Sequence, residues 1–292
     1  MIKQSNAEPS SIVSRMVDLS TESYYNPYKD FIWPDKIPDN KYWFSPELIS
    51  VYNTQYADLL NENELIQLSK WESINFCSVN VNGIREQLLV ILDSLYKNEL
   101  NVYSEYFHHF IGEENEHMWF FAQFCLRYGG KIYKDKRLKL SSFESLDIKY
   151  FLNFAKILIF EEIGDYYNVH MKNDDRLHPI VRQINKVHHQ DELRHLVIGR
   201  EIVKSLHKDL QKNCSVQKIR EIEVYLKKYI LLSIESLYNP LAYKDAGIEQ
   251  PYELRRKLLK QPFRKIQHKK VLNRIDTFFK RNNIFIEEAE WI

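Results

Sequence analysis

From about residue 62 onward apolar side chains recur at steps of three and four, a spacing that predicts helices over roughly 62–97, 101–128, 147–172, 179–207 and 215–238, with shorter ones beyond 250. Gly129-Gly130 predicts the end of the second helix, and Pro179 a first helical turn. Only Lys131 to Leu140 hints at a strand, and its alternation is weak. The first 46 residues differ, with Pro9, Pro27, Pro34, Pro38 and Pro46 set among Tyr24, Tyr25, Tyr28, Phe31, Trp33, Tyr42, Trp43 and Phe44. Such a segment is expected to wrap a core rather than to form a domain of its own. The fold class is therefore all-α. The expected division is an irregular N-terminal segment over 1–60 packed on a bundle, the bundle over 61–250, and a C-terminal helical extension of the same domain over 251–292.

Polar residues interrupt the apolar stripes in a pattern. On the second helix Phe107, Phe110, Glu114, His117, Phe121, Phe124 and Tyr128 share one face. A carboxylate and an imidazole there are costly to bury unless a charge pairs with them. The fourth helix carries Val181, Ile184, His188, Glu192, His195, Gly199 and Ile202, and the third Phe151, Phe154, Leu158, Glu161 and Asp165. The first carries Val79, Gly83, Glu86 and Val90, so that each of the four helices offers an inward carboxylate. A single E-x-x-H means little, because ten His and about one Glu in twelve residues give about one by chance. Glu105 and His108 are such a pair, out of phase with the stripe and assigned to the surface. The informative feature is repetition: a carboxylate helix followed 28 residues later by E-x-x-H, then another followed 31 residues later by a second. That is the ligand pattern of ferritin-like bundles that hold two iron or manganese ions.

Composition narrows the range of functions. Lys+Arg (41) nearly balances Asp+Glu (40), which argues against a nucleic-acid binder, and the late basic run from Arg255 to Arg281 reads as a solvated helix face. Seven Gly, of which only Gly129 and Gly130 adjoin, provide neither a phosphate loop nor a dinucleotide fingerprint. Cys77, Cys125 and Cys214 form no C-x-x-C, so no cluster or disulfide framework is indicated and a reducing cytoplasm is expected. The longest apolar runs are too short to cross a membrane, and no signal segment is expected.

With these residues in view, the sequence resembles the p-aminobenzoate N-oxygenase (AurF-like) family of non-haem diiron oxygenases. The resemblance covers roughly residues 30–255, through WESINFCSVNVNGIREQLL (71–89), EYFHHFIGEENEHMWFFAQFCLRYGGKIY (105–133), LIFEEIGDYYNVHM (158–171), VRQINKVHHQDELRHLVIGR (181–200) and YNPLAYKDAGI (238–248). Its discriminating feature is a third histidine, His188, four residues before the second E-x-x-H. The resemblance implies a ferritin-like bundle in which Glu86, Glu114, His117, Glu161, His188, Glu192 and His195 bind two irons. Glu162 is the alternative to Glu161, and Glu72 the fallback for Glu86. Asp165 and Asp191 are candidates to hydrogen-bond ligand imidazoles. His189 and His170 are read as lying off the ligand face, and Arg194 as an exposed ion pair.

The activity so implied is O2-dependent monooxygenation of a small-molecule amine to hydroxylamine, nitroso or nitro, through a peroxo-diferric intermediate. Electrons must come from a separate reductase or electron carrier, since the chain carries no redox cofactor motif of its own. A homodimer is compatible with this reading. The competing readings are an iron-oxidising or storage protein, a diiron oxygenase acting on carbon, and a metal-free helical interaction module.

Overall fold

The computed structural model describes residues 9–134, 143–288 and 291. Among these residues ten α-helices run in the order α1 (Pro9–Glu22), α2 (Pro27–Asp30), α3 (Glu62–Ser94), α4 (Ser104–Gly129), α5 (Leu146–Met171), α6 (Pro179–Asn213), α7 (Val216–Ser236), α8 (Pro240–Asp245), α9 (Pro251–Leu258) and α10 (Pro262–Arg281). The five long helices expected from periodicity are α3 to α7. Their ends are set by local chemistry. At the start of α3 the Asn61 side chain accepts from the Glu64 N–H while the Glu64 carboxylate accepts from the Asn61 N–H, a closed capping box. Pro179 opens α6, where the His178 ring accepts from the Ile180 N–H. Gly130, at φ 66°, stops α4 in the left-handed conformation that lacks a steric penalty only for glycine.

α3 lies along α4 and α5 along α6, and the two hairpins pack into a four-helix bundle. Its interior is continuous with aromatic packing such as Phe107 on Phe154 and Phe76 on Phe121. α3 and α5 come close where Gly83 meets Phe160: a Cβ at residue 83 would fall 2.3 Å from the Phe160 ring. α7 packs against α5, and α10 also reaches α5. Among the described residues no helix is long and apolar enough to cross a membrane.

The N-terminal segment wraps the bundle, with Trp43, Phe44, Leu48, Ile49 and Val51 buried. It is more regular than its prolines suggest. Pro9 starts α1 instead of preventing it, because a first-turn position has no intrahelical N–H bond to lose. Val13, Met16 and Ser20, stepped by three and four, are its buried face, which rests on α4 and α6. Residues 131–134 form no strand, and the remainder of that weakly alternating span lies outside the described residues.

Candidate metal centre

Six of the seven residues expected to bind metal meet inside the bundle. Glu114 and His117 come from α4, Glu161 from α5, and His188, Glu192 and His195 from α6; none is more than 3% exposed. They form two interlocking sets. One ligand atom from each of Glu114, His117, His188 and Glu192 lies within 4.8 Å of the others, and the same holds for Glu114, Glu161, Glu192 and His195. Glu114 and Glu192 belong to both sets. Two adjacent cations could be held here, with Glu114 and Glu192 available to both, His117 and His188 completing one set and Glu161 and His195 the other.

The donor atoms fit such ions. Glu114 Oε2, Glu161 Oε1, both Glu192 oxygens and His195 Nδ1 are buried without a hydrogen-bond partner. His195 Nδ1 nevertheless lies 3.0 Å from Glu114 Oε1, and His188 Nε2 lies 2.8 Å from Glu192 Oε1. Unsatisfied buried polar atoms cost about 1–3 kcal/mol each, so their convergence calls for a ligand that satisfies several together. Carboxylate oxygens with imidazole nitrogens suit iron or manganese.

A second layer fixes each imidazole. His117 Nε2 meets Asp191 at 2.9 Å, and His195 Nε2 meets Glu113 at 2.8 Å. Arg194 joins the two carboxylates, donating to Asp191 at 2.5 Å and to Glu113 at 2.6 Å. It also donates to the Ser20 and Ser23 hydroxyls, at 2.8 and 3.0 Å, so the α1 segment braces it. His188 Nδ1 contacts the Asn168 side-chain amide at 2.7 Å. In each ring one nitrogen is held from outside and the other faces the carboxylates, the arrangement that orients metal-binding histidines.

Electrostatics without metal follow from the same contacts. Burial opposes a charge on His117, but Glu114 and Asp191 outweigh it and raise the imidazole to about 10. His195 is likewise raised well above its ordinary value, burial being overcome by Tyr106, Glu192, Glu113 and Glu114. Glu161 is pushed far up by burial and by Glu192 and Glu114, and keeps its proton. Glu192 is buried too, yet His188 and His195 hold it well below the ordinary range. Glu113, despite its burial, is lowered to about 2 by His195 and Arg194. Protons thus occupy the cluster where cations would otherwise balance its charge.

The family model of the p-aminobenzoate N-oxygenase AurF matches residues 6–282. The chain belongs to the AurF family. It is accordingly an enzyme of the diiron oxygenase class, built on the helical bundle of that family. No curated protein sequence matches it.

One expected site residue of this AurF-family chain does not join the cluster. Glu86 is exposed, and its carboxylate acts on Lys156 rather than on the six. Its height along α3 is right: Ser78 faces Cys125 at 3.6 Å, and stepping along the antiparallel pair sets His117 opposite Glu86. Its rotation is wrong. Val79, Gly83, Glu86 and Val90 line a cavity outside the cluster, and Gln87, about 100° further round and at the inner wall of the same cavity, is the buried polar residue at this height. Glu72 is buried elsewhere, accepting from the Ser50 N–H at 2.9 Å and from its hydroxyl, and burial raises it to about 7. No α3 carboxylate therefore joins the six.

Glu162 turns from the cluster to Arg200 and Arg274, which leaves Glu161 as the α5 carboxylate of the site. Asp165 pairs with His189 at 2.5 Å and with Arg274 at 2.8 Å, so of the two candidate aspartates only Asp191 supports an imidazole of the cluster. Arg194 is 6% exposed, where an exposed pair was expected; its charge is compensated by Asp191, three residues before it on α6, and by part-buried Glu113 of α4, which spacing alone did not connect to it. Glu105, His108 and His170 are exposed. Glu113 and Asn168 support the imidazoles without having been expected to. Asn168 continues the Leu158, Glu161, Asp165 stripe by one further step and was legible there, whereas Glu113 adjoins Glu114 at an angle that signals no ligand.

Proposed function

We propose that this chain is an O2-dependent N-oxygenase that oxidises the nitrogen of an amine to hydroxylamine, and onward to nitroso or nitro, with two irons held by Glu114, His117, Glu161, His188, Glu192 and His195. The observation that carries this reading is the pair of interlocking donor sets sharing Glu114 and Glu192, in a chain whose family is that of an amine oxygenase. The irons, when bound, supply the electrons and open coordination positions that activate O2. The protein orients the imidazoles through Asp191, Glu113 and Asn168 and surrounds the centre with Phe110, Phe120 and Phe121, which exclude water. Each insertion of one oxygen atom into an N–H bond consumes two external electrons and two protons, the second oxygen leaving as water; a separate reductase or electron carrier delivers the electrons. The three free thiols suit a reducing cytoplasm.

The test is a single turnover. Anaerobically iron-loaded protein is mixed with p-aminobenzoate and isotopically labelled O2, and the products are analysed by mass spectrometry. Label in an N-oxygenated product is the expected result. Iron oxidation with no oxygen transfer to nitrogen, for this and other amines, would favour the iron-oxidase reading.

A further inference from the structure

A cavity of about 680 Å³ lies between α3, α5 and α7, on the other side of α3 and α5 from the α4–α6 interface. Its inner wall is formed by α3 and α5, and none of the six cluster residues lines it. Gly164, three residues beyond Glu161 on α5, lines this wall, and a Cβ there would stand 3.8 Å from Asn80 Oδ1. Gln87, at the height of the cluster, lines the same wall.

Three features describe what the cavity would hold. The inner wall carries amides without partners: Asn80 Oδ1 and both Gln87 amide atoms are buried and make no hydrogen bond, in side chains 2% and 4% exposed. The outer side carries Lys156, about 140° round α5 from Glu161, half-buried and without an ion pair or hydrogen bond among the described residues. Burial lowers its pKa, against the pull of Glu86. The charged groups lining the cavity are Lys134, Lys156 and Arg255 against Glu86 and Glu235, an excess of one positive charge. Arg255 and Glu235 already neutralise each other at 2.7 Å. Between these two sides the walls are apolar and aromatic, including Phe160, Tyr225 and Leu232.

Size then selects among ligands. An apolar cavity of about 150 Å³ holds one benzene ring. This one is roughly four times larger, within the range of sites for drug-sized ligands. A single-ring amino acid leaves most of it unfilled.

We propose that this cavity is the substrate chamber, and that it takes an extended amine with one negative charge, larger than aminobenzoate, its nitrogen toward Asn80 and Gln87 and its anionic group on Lys156. The proposal rests on the N-oxygenase reading for the role of the nitrogen; the binding itself does not. The two amides accept from and donate to the amine, and Lys156 fixes the far end. Lys156 is a specificity residue that touches no reacting atom.

Calorimetric binding to the full-length chain tests this with three probes: p-aminobenzoate, its two-ring analogue p-(p-aminophenyl)benzoate, and neutral p-aminobiphenyl. The two-ring acid should bind about tenfold or more tighter than either of the others, over neutral p-aminobiphenyl through the charge-assisted contact with Lys156 and over p-aminobenzoate through the apolar area its second ring buries. Lys156→Met should remove the preference for the acid over neutral p-aminobiphenyl, and Lys156→Arg should keep it, with circular dichroism unchanged in both. Equal or tighter binding of p-aminobenzoate, a preference for the acid that survives in Lys156→Met, or no binding of any probe would overturn the assignment. Its failure is separable from that of the function. A chain that N-oxygenates p-aminobenzoate but shows no preference for the longer acid keeps its activity and loses this chamber; one that takes up no iron yet binds the two-ring acid through Lys156 keeps the chamber and loses the activity.

Discussion

Loading the centre with two divalent cations should expel protons, and the side chains fix how many. His117, raised to about 10, is charged at pH 7, and His195 is raised in the same direction. Both must be neutral to bind metal, so two protons leave from the imidazoles, and a third leaves from Glu161, whose carboxyl burial and two neighbouring carboxylates keep protonated. For His117 alone the proton competes at pH 7 with about 4 kcal/mol, three units at about 1.4 kcal/mol each. With three protons displaced, apparent affinity for the metal pair should rise about a thousandfold from pH 7 to pH 8. The metal-free chain moves the opposite way. A base whose pKa is raised by folding contributes stability that is complete below its unfolded value near 6.5 and is lost as pH climbs through about 10. Titrating cobalt(II) calorimetrically in two buffers of different ionisation enthalpy counts the protons directly. Release of none, or an affinity that does not change between pH 7 and pH 8, would refute the assignment of His117 and His195 as charged residents of the empty cluster.

Four substitutions test the remaining parts. Glu161→Ala should leave one metal per chain in place of two, whereas Glu162→Ala should keep both and lower stability by about 1–3 kcal/mol, because Arg200 and Arg274 lose a buried partner but are themselves partly exposed; metal analysis and urea denaturation separate the two. Gln87→Glu places a carboxylate at the height of the cluster where α3 contributes none, so the metal-free protein should melt lower and the metal-loaded protein higher than wild type, which differential scanning of both forms would show. Arg194→Met leaves Asp191 and Glu113 facing each other without their shared cation; stability should fall by about 3–5 kcal/mol and metal should dissociate faster, measured by chelator competition, while a variant as stable as wild type would remove Arg194 from the support of the imidazoles.

The four helices of the bundle were legible because each carries a long apolar stripe whose period survives its polar interruptions, and Glu114, His117, Glu161, His188, Glu192 and His195 were legible as those interruptions. α3 escaped for a physical reason. It is buried along two faces, one toward α4 and one toward the cavity, so that its stripe through Val79, Gly83, Glu86 and Val90 was real but belonged to the cavity face. Spacing gives height along a helix more reliably than rotation when two faces are apolar. The burial of Arg194 is not visible in spacing because it depends on Glu113 of α4 and on Ser20 and Ser23 of the α1 segment. α1 is hidden in the sequence because five prolines within 46 residues mark the segment as irregular, although Pro9 stands at a first-turn position that a helix tolerates.

Iron content measures the central claim most directly. Protein reconstituted anaerobically with ferrous iron and freed of excess should hold two irons per chain, bound through the two sets that share Glu114 and Glu192. Glu192→Ala, which takes a ligand from both positions at once, should hold none while remaining helical. A wild-type chain that retains no iron, or a Glu192→Ala variant that still retains two, would contradict the two-ion centre.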